Sequence, residues 1–395
     1  MRCSSGRLRK KQREETPIRI LLSLHHYLNP DAGAARVVIR LRDEIRRLGH
    51  SVDTFSFEDL PGLVADKAKA FAFPHFFARR AAKVATSYDV IDSSSGDAWL
   101  AYRDDQVPAG VLRATHSHGL EHLSAAVEQE EMARAGRGIS LRKRLWRYGA
   151  RLTEVRLSFQ RADLSLALNA REAAYLQDSF GIAAERVRLA RLAAEGSMLK
   201  AAAAVADPAG NVEVAQIGAY TARKGIAHTV AAMTTLMTRY PTLRLRFLGT
   251  GEDAATVRAD FPEALQERLV VVPRFQNAQL PDLLATCQIQ LMPSLFEGYG
   301  IVKLEAMACG LVPVVSSDAG ASTDIRAGYN GLVVPVADDV ALMAAIERLI
   351  VDPALRERLR VGALNTAAGA SWAKVAAERL EHYAEALRRK AQRPG

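Results

Sequence analysis

The chain has 395 residues, 49% hydrophobic and 25% charged, and its Lys and Arg outnumber its Asp and Glu by 53 to 44. At roughly 150 residues per domain there is room for two or three domains with cores of their own, and the apolar content excludes disorder as the main state. The net charge of +9 admits an anionic partner (nucleic acid, phosphorylated substrate or membrane surface) or a plain bias toward arginine.

Residues 1–17 form a basic tail carrying Arg2, Arg7, Arg9, Lys10, Lys11 and Arg13. No long apolar region follows before Pro17, and no stretch approaches the ~20 apolar residues that cross a bilayer. Neither a cleaved secretory signal nor a spanning helix is expected. Cys3, Cys287 and Cys309 have no metal or redox spacing, so free thiols in a reducing cytoplasm are expected. Short apolar runs predict strands at 18–24, 52–57, 90–92, 111–115 and 164–168, then at 212–217, 243–248, 269–272, 288–292, 312–315 and 332–334. Amphipathic segments of helical length lie between most of them. The alternation predicts an α/β protein with parallel sheets, and its repetition predicts two Rossmann-like domains at 18–205 and 206–370, followed by a segment at 371–395. The boundary is placed at Lys200–Asn211, where an alanine run passes into Asp207-Pro208-Ala209-Gly210. Such sheets carry their chemistry in the loops after the strands, and a cleft between two of them is a favoured ligand site.

The loops after the strands supply the candidates. Leu28–Arg36, containing Gly33, precedes a helix ending near Gly49-His50. Thr115–His122 holds three histidines, but without zinc spacing or a Cys or Asp among them, so no metal is expected. Leu141–Phe159 reads as one helix with an apolar stripe at Leu141, Leu145, Tyr148, Leu152, Val155 and Phe159. Arg142, Lys143, Arg144, Arg147, Arg151 and Arg156 lie off the stripe, and Trp146 adds an aromatic. Such a helix either lies on anionic lipid or packs its stripe into the core beneath a solvated basic face. Gly218–Gly225 follows a strand and opens a helix, where Arg223 and Lys224 suit a diphosphate. Gly249-Thr250-Gly251 begins a loose dinucleotide pattern, but Leu269–Pro273 lacks the acidic residue expected about 20 positions on. A nicotinamide oxidoreductase is therefore disfavoured. Met292–Gly310 reads as strand, loop with Gly298 and Gly300, then a short helix whose amides suit a phosphate. Glu297 in that loop and Glu305 one turn into the helix can both reach the cleft. Either glutamate alone would read as an ordinary loop or helix-start charge.

Together they do not. Pro293-Ser294, Glu297, and Glu305-Ala306-Met307-Ala308-Cys309-Gly310-Leu311-Val312-Pro313-Val314 resemble the donor-site signature of retaining GT-B glycosyltransferases of family 4, the glycosyl transferases group 1. The resemblance implies the GT-B fold and transfer of a sugar from a UDP- or GDP-sugar to a sugar or lipid-linked acceptor, without metal, cofactor or nucleic acid. It implies that Glu305 holds the nucleotide ribose and that Glu297 lies against the donor sugar. Arg223 and Lys224 match the family's phosphate loop, Gly33 its amide loop, and His118 a histidine that touches the transferred sugar. His118, Glu297, Arg223 and Lys224 form the implied catalytic set. The implied donor-binding set is Gly33, Gly218, Arg223, Lys224, Arg274, Glu297, Gly298, Tyr299, Gly300, Ile301 and Glu305. Ser371-Trp372 to Tyr383 resembles the family's closing helix, which crosses back onto the first domain. A cytoplasmic enzyme is expected, with an anionic inner-membrane surface as a further partner. The chain departs from the pattern at Ala34, Ala219, Arg191–Gly196 and Gly320-Ala321 with Asp324. A non-catalytic GT-B scaffold and a sugar-nucleotide epimerase therefore stand as alternatives, and the seven-residue spacing between the two glutamates favours the transferase.

Overall fold

The structure is a computed structural model that describes residues 17–103, 106–134, 136, 138–201 and 211–392. Most of the basic tail, Cys3, and Asp207–Gly210 of the expected boundary lie outside the described residues.

Two six-stranded parallel sheets form the frame. The first contains β1 (Arg19–Ser23), β2 (Ser51–Phe55), β3 (Val90–Ser94), β4 (Leu112–His116), β5 (Leu164–Ala167) and β6 (Val187–Leu189), in the order β2-β1-β3-β4-β5-β6. The second contains β7 (Glu213–Ile217), β8 (Arg244–Leu248), β9 (Leu269–Val272), β10 (Ile289–Met292), β11 (Val312–Ser316) and β12 (Leu332–Val334), in the order β12-β11-β10-β7-β8-β9. The predicted strands are present with their ends within two residues, and β6 is an addition. It has three residues, sits at the sheet edge and carries Arg188 at its centre, too short and too polar to read as a strand. β3, β7 and β11 are buried along their whole length, as helices on both faces of a parallel sheet require.

Strand order reverses between β1 and β3 in one sheet and between β7 and β10 in the other. Parallel sheets open a crevice at such points, beyond the carboxyl ends of the strands. The loops after β1, β7 and β10 are the ones that carry Gly33, Lys224 and Glu297.

The two units share an apolar core. Ile20 and Leu22 of the first sheet belong to one buried cluster with Leu304 and Met307 of the second unit, linked through Leu192, Ala193 and Met198. The Trp372–Ala391 helix packs against the Gly33–Arg47 helix and β4, and buries Trp372, Val375 and Tyr383. Its polar anchor is Asp92 on β3, which accepts from Arg379 Nη1 at 2.6 Å and from the Tyr383 hydroxyl. Burial alone would raise the Asp92 carboxyl, but His116 and Arg379 hold it well below the usual carboxylate range.

The single helix expected over 141–159 is corrected. Leu141–Leu145 is helical, Trp146–Arg151 widens into a π-helical turn, and the helix resumes at Leu152–Arg161. The inserted turn breaks the stripe. Val155 and Phe159 enter the core, whereas Leu141 and Leu145 are 69% and 66% exposed. Trp146 rests on Phe71, with ring centroids 5.0 Å apart.

Candidate active site

Between the two sheets lies a cleft of about 780 Å³. Gly33, Gly218, Arg274, Ile301 and Glu305 of the expected residues line it, beside Asn29, Arg36 and Asn277. Two helices begin at this cleft, Gly33–Arg47 and Ile301–Ala308. Neither has a side-chain cap or an acidic residue in its first turn. By contrast, helices elsewhere in the second unit are capped by Asp338 and Asp352, and the last helix by Ser371. The uncapped amides give the cleft partial positive charge suited to an anion. Gly300 precedes the second helix at φ 71°, and a Cβ there would lie 2.8 Å from Met292 Sδ. That position therefore requires glycine.

Glu305 is nearly fully buried, and its Oε1 is 2.7 Å from Arg36 Nη2 and accepts from Asn277 Nδ2 at 3.2 Å. Burial pushes its carboxyl up, and Arg36 partly offsets this. Asn277 is tied in turn to the first domain, since its N–H donates to Asp31 Oδ1 at 2.8 Å.

Glu297 occupies a second, deeper cluster. Its Oε2 lies 2.5 Å from Lys224 Nζ and its Oε1 3.9 Å from Arg223 Nη1. Burial raises this carboxyl, but Lys224 and Arg223 outweigh burial and hold it below the ordinary glutamate range. Arg223 also donates to the Phe296 carbonyl at 3.2 Å. Beneath the loop, Asp318 Oδ2 accepts from the amides of Glu297 and Gly320 at 3.0 and 3.1 Å. Lys303 is fully buried and donates to the Tyr299 and Gly320 carbonyls at 2.7 and 3.0 Å; burial pushes its amine down to about 8.

His118 reaches the same loop from the first domain. A Cβ on Gly298 would stand 2.7 Å from Gly119 Cα and 3.2 Å from the His118 carbonyl, so the two loops meet backbone to backbone. Asn169 Nδ2 also donates to the Gly298 carbonyl at 2.6 Å, and Arg171 Nη1 to Asp318 Oδ1 at 3.1 Å. Behind His118, His116 Nδ1 faces Asp92 Oδ1 at 2.7 Å, and the two ring Nε2 atoms are 3.2 Å apart. Burial first, then the neighbouring His116, drives His118 well below its ordinary pKa. Asp92, held ionised, can only accept, so His116 Nδ1 carries a proton toward it.

The expected residues thus fall into two groups. Gly33, Arg274, Ile301 and Glu305 face the open cleft, and His118, Arg223, Lys224, Glu297 and Gly298 converge behind it. Gly218 joins the two groups, because the Lys224 side chain lies across it, with Cε 3.3 Å from where a Cβ would sit. The Tyr299 side chain turns away, donating to Asp324 Oδ2 at 2.7 Å and to the Leu192 carbonyl at 3.4 Å. Sequence reasoning missed Arg36, Asn277, Asp318 and Lys303. One signal for Arg36 was a cation in the first turn of a helix, where the peptide dipoles disfavour it. Among the described residues no group of three or more His, Cys, Asp or Glu is arranged to hold a metal ion. Among them, too, no helix is long and apolar enough to cross a membrane. Cys287 and Cys309 are buried, and burial pushes both thiols up to about 12.

Residues 201–365 match the family model described as glycosyl transferases group 1. Over 116 residues, 29% of this chain, it is 34% identical to a D-inositol 3-phosphate glycosyltransferase of Stackebrandtia nassauensis. Over 121 residues, 31% of the chain, it is 35% identical to a protein of the same name from Catenulispora acidiphila. The matched stretches span only 26% and 29% of those relatives. Among solved structures, the sucrose-phosphate synthase of Thermosynechococcus elongatus superposes with a TM-score of 0.72 at 21% identity, covering 93% of this chain and 98% of that one. The HepE protein of Anabaena, in complex with UDP-glucose, gives 0.64 at 17% identity, covering 92% and 99%.

Proposed function

From a chain of GT-B fold whose residues 201–365 match the glycosyl transferases group 1 model, we propose that the cleft transfers a sugar from a nucleotide-sugar to a hydroxyl acceptor. The observation that carries this reading is the division of labour among the charged side chains. A buried carboxylate, Glu305, opens onto the cleft, two uncapped helix starts lie beside it, and the cations Arg223 and Lys224 stand behind it. A carboxylate accepts from ribose hydroxyls, and cations with amides donate to the oxygens of a diphosphate. Leaving-group charge stabilised by such preorganised groups is the largest contribution available to catalysis. The C–O bond between the anomeric carbon and the diphosphate breaks as the acceptor oxygen bonds to that carbon. The acceptor proton passes to the departing phosphate on the same face, with retention of configuration. In this reading Glu297 and His118 flank the transferred sugar, and Glu297 does not form a covalent bond. UDP-sugars are the first donors to test, because the HepE structure holds UDP-glucose; GDP-sugars follow. The chain is incubated with each donor and with sugar or lipid-linked acceptors, and released diphosphate and the product anomer are read by NMR. Failure of every donor to bind or turn over, or an inverted product, would overturn the corresponding part of the reading.

We further propose that the acceptor side docks on anionic lipid at the inner membrane face of the cytoplasm. Leu141, Leu145 and Phe71 are exposed around Trp146, and Arg142 and Arg144 are exposed beside them. Lys143 and Arg147 share Glu128 as a partner, at 2.7 and 2.8 Å. Flotation with phosphatidylglycerol vesicles should exceed that with phosphatidylcholine and fall in Leu141→Asp/Leu145→Asp. Equal flotation on both lipids counts against docking.

A further inference from the structure

Arg36 is placed where a cation is least expected. It lies in the first turn of the Gly33–Arg47 helix, its side chain is 8% exposed, and that turn holds no acidic residue. The helix dipole disfavours it there, and its counter-charge comes from the other domain. Glu305 Oε1 takes both Arg36 Nη2, at 2.7 Å, and Asn277 Nδ2, at 3.2 Å. Among the described residues no hydrogen bond reaches Glu305 Oε2, and both side chains line the cleft. One oxygen is therefore anchored and the other is left to a ligand.

We propose that Arg36 is the positioning residue for the nucleotide ribose: by holding Glu305 Oε1 it presents Oε2 to the vicinal hydroxyls, so ribose recognition requires the first domain to be docked on the second. The inference rests on the nucleotide-sugar reading and adds to it a residue from the opposite domain. An ionised Oε2 can accept from both hydroxyls, whereas protonation there turns it into a donor. Burial and Glu195 favour the protonated form of Glu305, and Arg36 opposes them. Asp31 acts in the same sense, because it orients Asn277, the second donor to Oε1.

The test is calorimetric titration of the full chain with UDP and GDP and with their 2′,3′-dideoxy counterparts, from pH 6 to 9. The native chain should prefer the ribose form by about tenfold or more across the range. Arg36→Met should weaken that preference, more at the acid end of the range than at the alkaline end, because Arg36 no longer favours the ionised Glu305. Arg36→Lys should keep part of it, and it carries the test if the Met variant does not fold. Unchanged preference with no pH dependence in Arg36→Met overturns the proposal, as does tighter binding, which would make Arg36 a latch that the ribose displaces. A native chain that binds neither nucleotide overturns the donor reading itself, and with it this inference. A native chain that binds ribose and dideoxy forms equally overturns only the inference.

Discussion

Lys224 Nζ lies 2.5 Å from Glu297 Oε2, with both side chains almost buried, so the cation of the loop after β7 neutralises the carboxylate of the loop after β10. Removing one partner of such a pair leaves a buried charge, which costs about 3–5 kcal/mol. Lys224→Ala should therefore lower stability as well as activity, with turnover falling about 10²–10³-fold. Lys224→Ala/Glu297→Gln should recover much of the stability and none of the turnover. Urea unfolding beside donor turnover separates the two effects.

Lys303 gives the protein a signature in mild alkali. Burial brings its folded-state pKa to about 8 from 10.5. Between those values the unfolded chain holds a proton that the folded chain has released. Stability from this group therefore rises with pH across that window, by up to about 1.4 kcal/mol per pH unit. Lys303→Met should lose this rise, which denaturant titrations of both proteins between pH 7.5 and 9.5 would measure.

Asp92 acts at the other end of the scale. Its folded pKa is depressed, so its contribution is present above the unfolded carboxylate value near 3.8. It is lost as pH falls through the folded one. Asp92→Asn should weaken the fold by about 3–5 kcal/mol at pH 7, because Arg379 then stays charged and unpaired. Acid unfolding below about pH 4 should be shallower in the variant than in the native chain.

Gly298 tests the contact between the domains. A Cβ there would meet Gly119 Cα at 2.7 Å, and separating the loops would draw His118 away from Glu297. Gly298→Ala should reduce kcat while leaving the thermal midpoint within a few degrees of native. Gly320→Ala should damage both, since its Cβ would lie 1.8 Å from the Glu297 carbonyl oxygen. Parallel melting curves and initial rates would distinguish the two.

The frame was legible because parallel strands are continuous apolar runs separated by helices. The loops were legible because glycines and paired charges mark them. What escaped was set by tertiary partners. Among the described residues β6 pairs with β5 alone. The stripe over 141–159 was periodic, yet the π-helical turn at Trp146–Arg151 rotates its first part out of the core. Arg36 and Asn277 gain meaning only from Glu305, and local spacing cannot reveal a partner that distant. Tyr299 sits within the donor signature, but its side chain leaves for Asp324.

The anchoring of Asp92 orders the birth of the molecule. Its hydrogen-bond partners Arg379 and Tyr383 lie 287 and 291 positions further along the chain. A nascent first domain must carry a buried carboxylate without those partners until the Trp372–Ala391 helix has been made. It can reach its finished form only after the second domain has emerged, and ribosome-bound chains lacking the final helix should be far more sensitive to protease than the released protein.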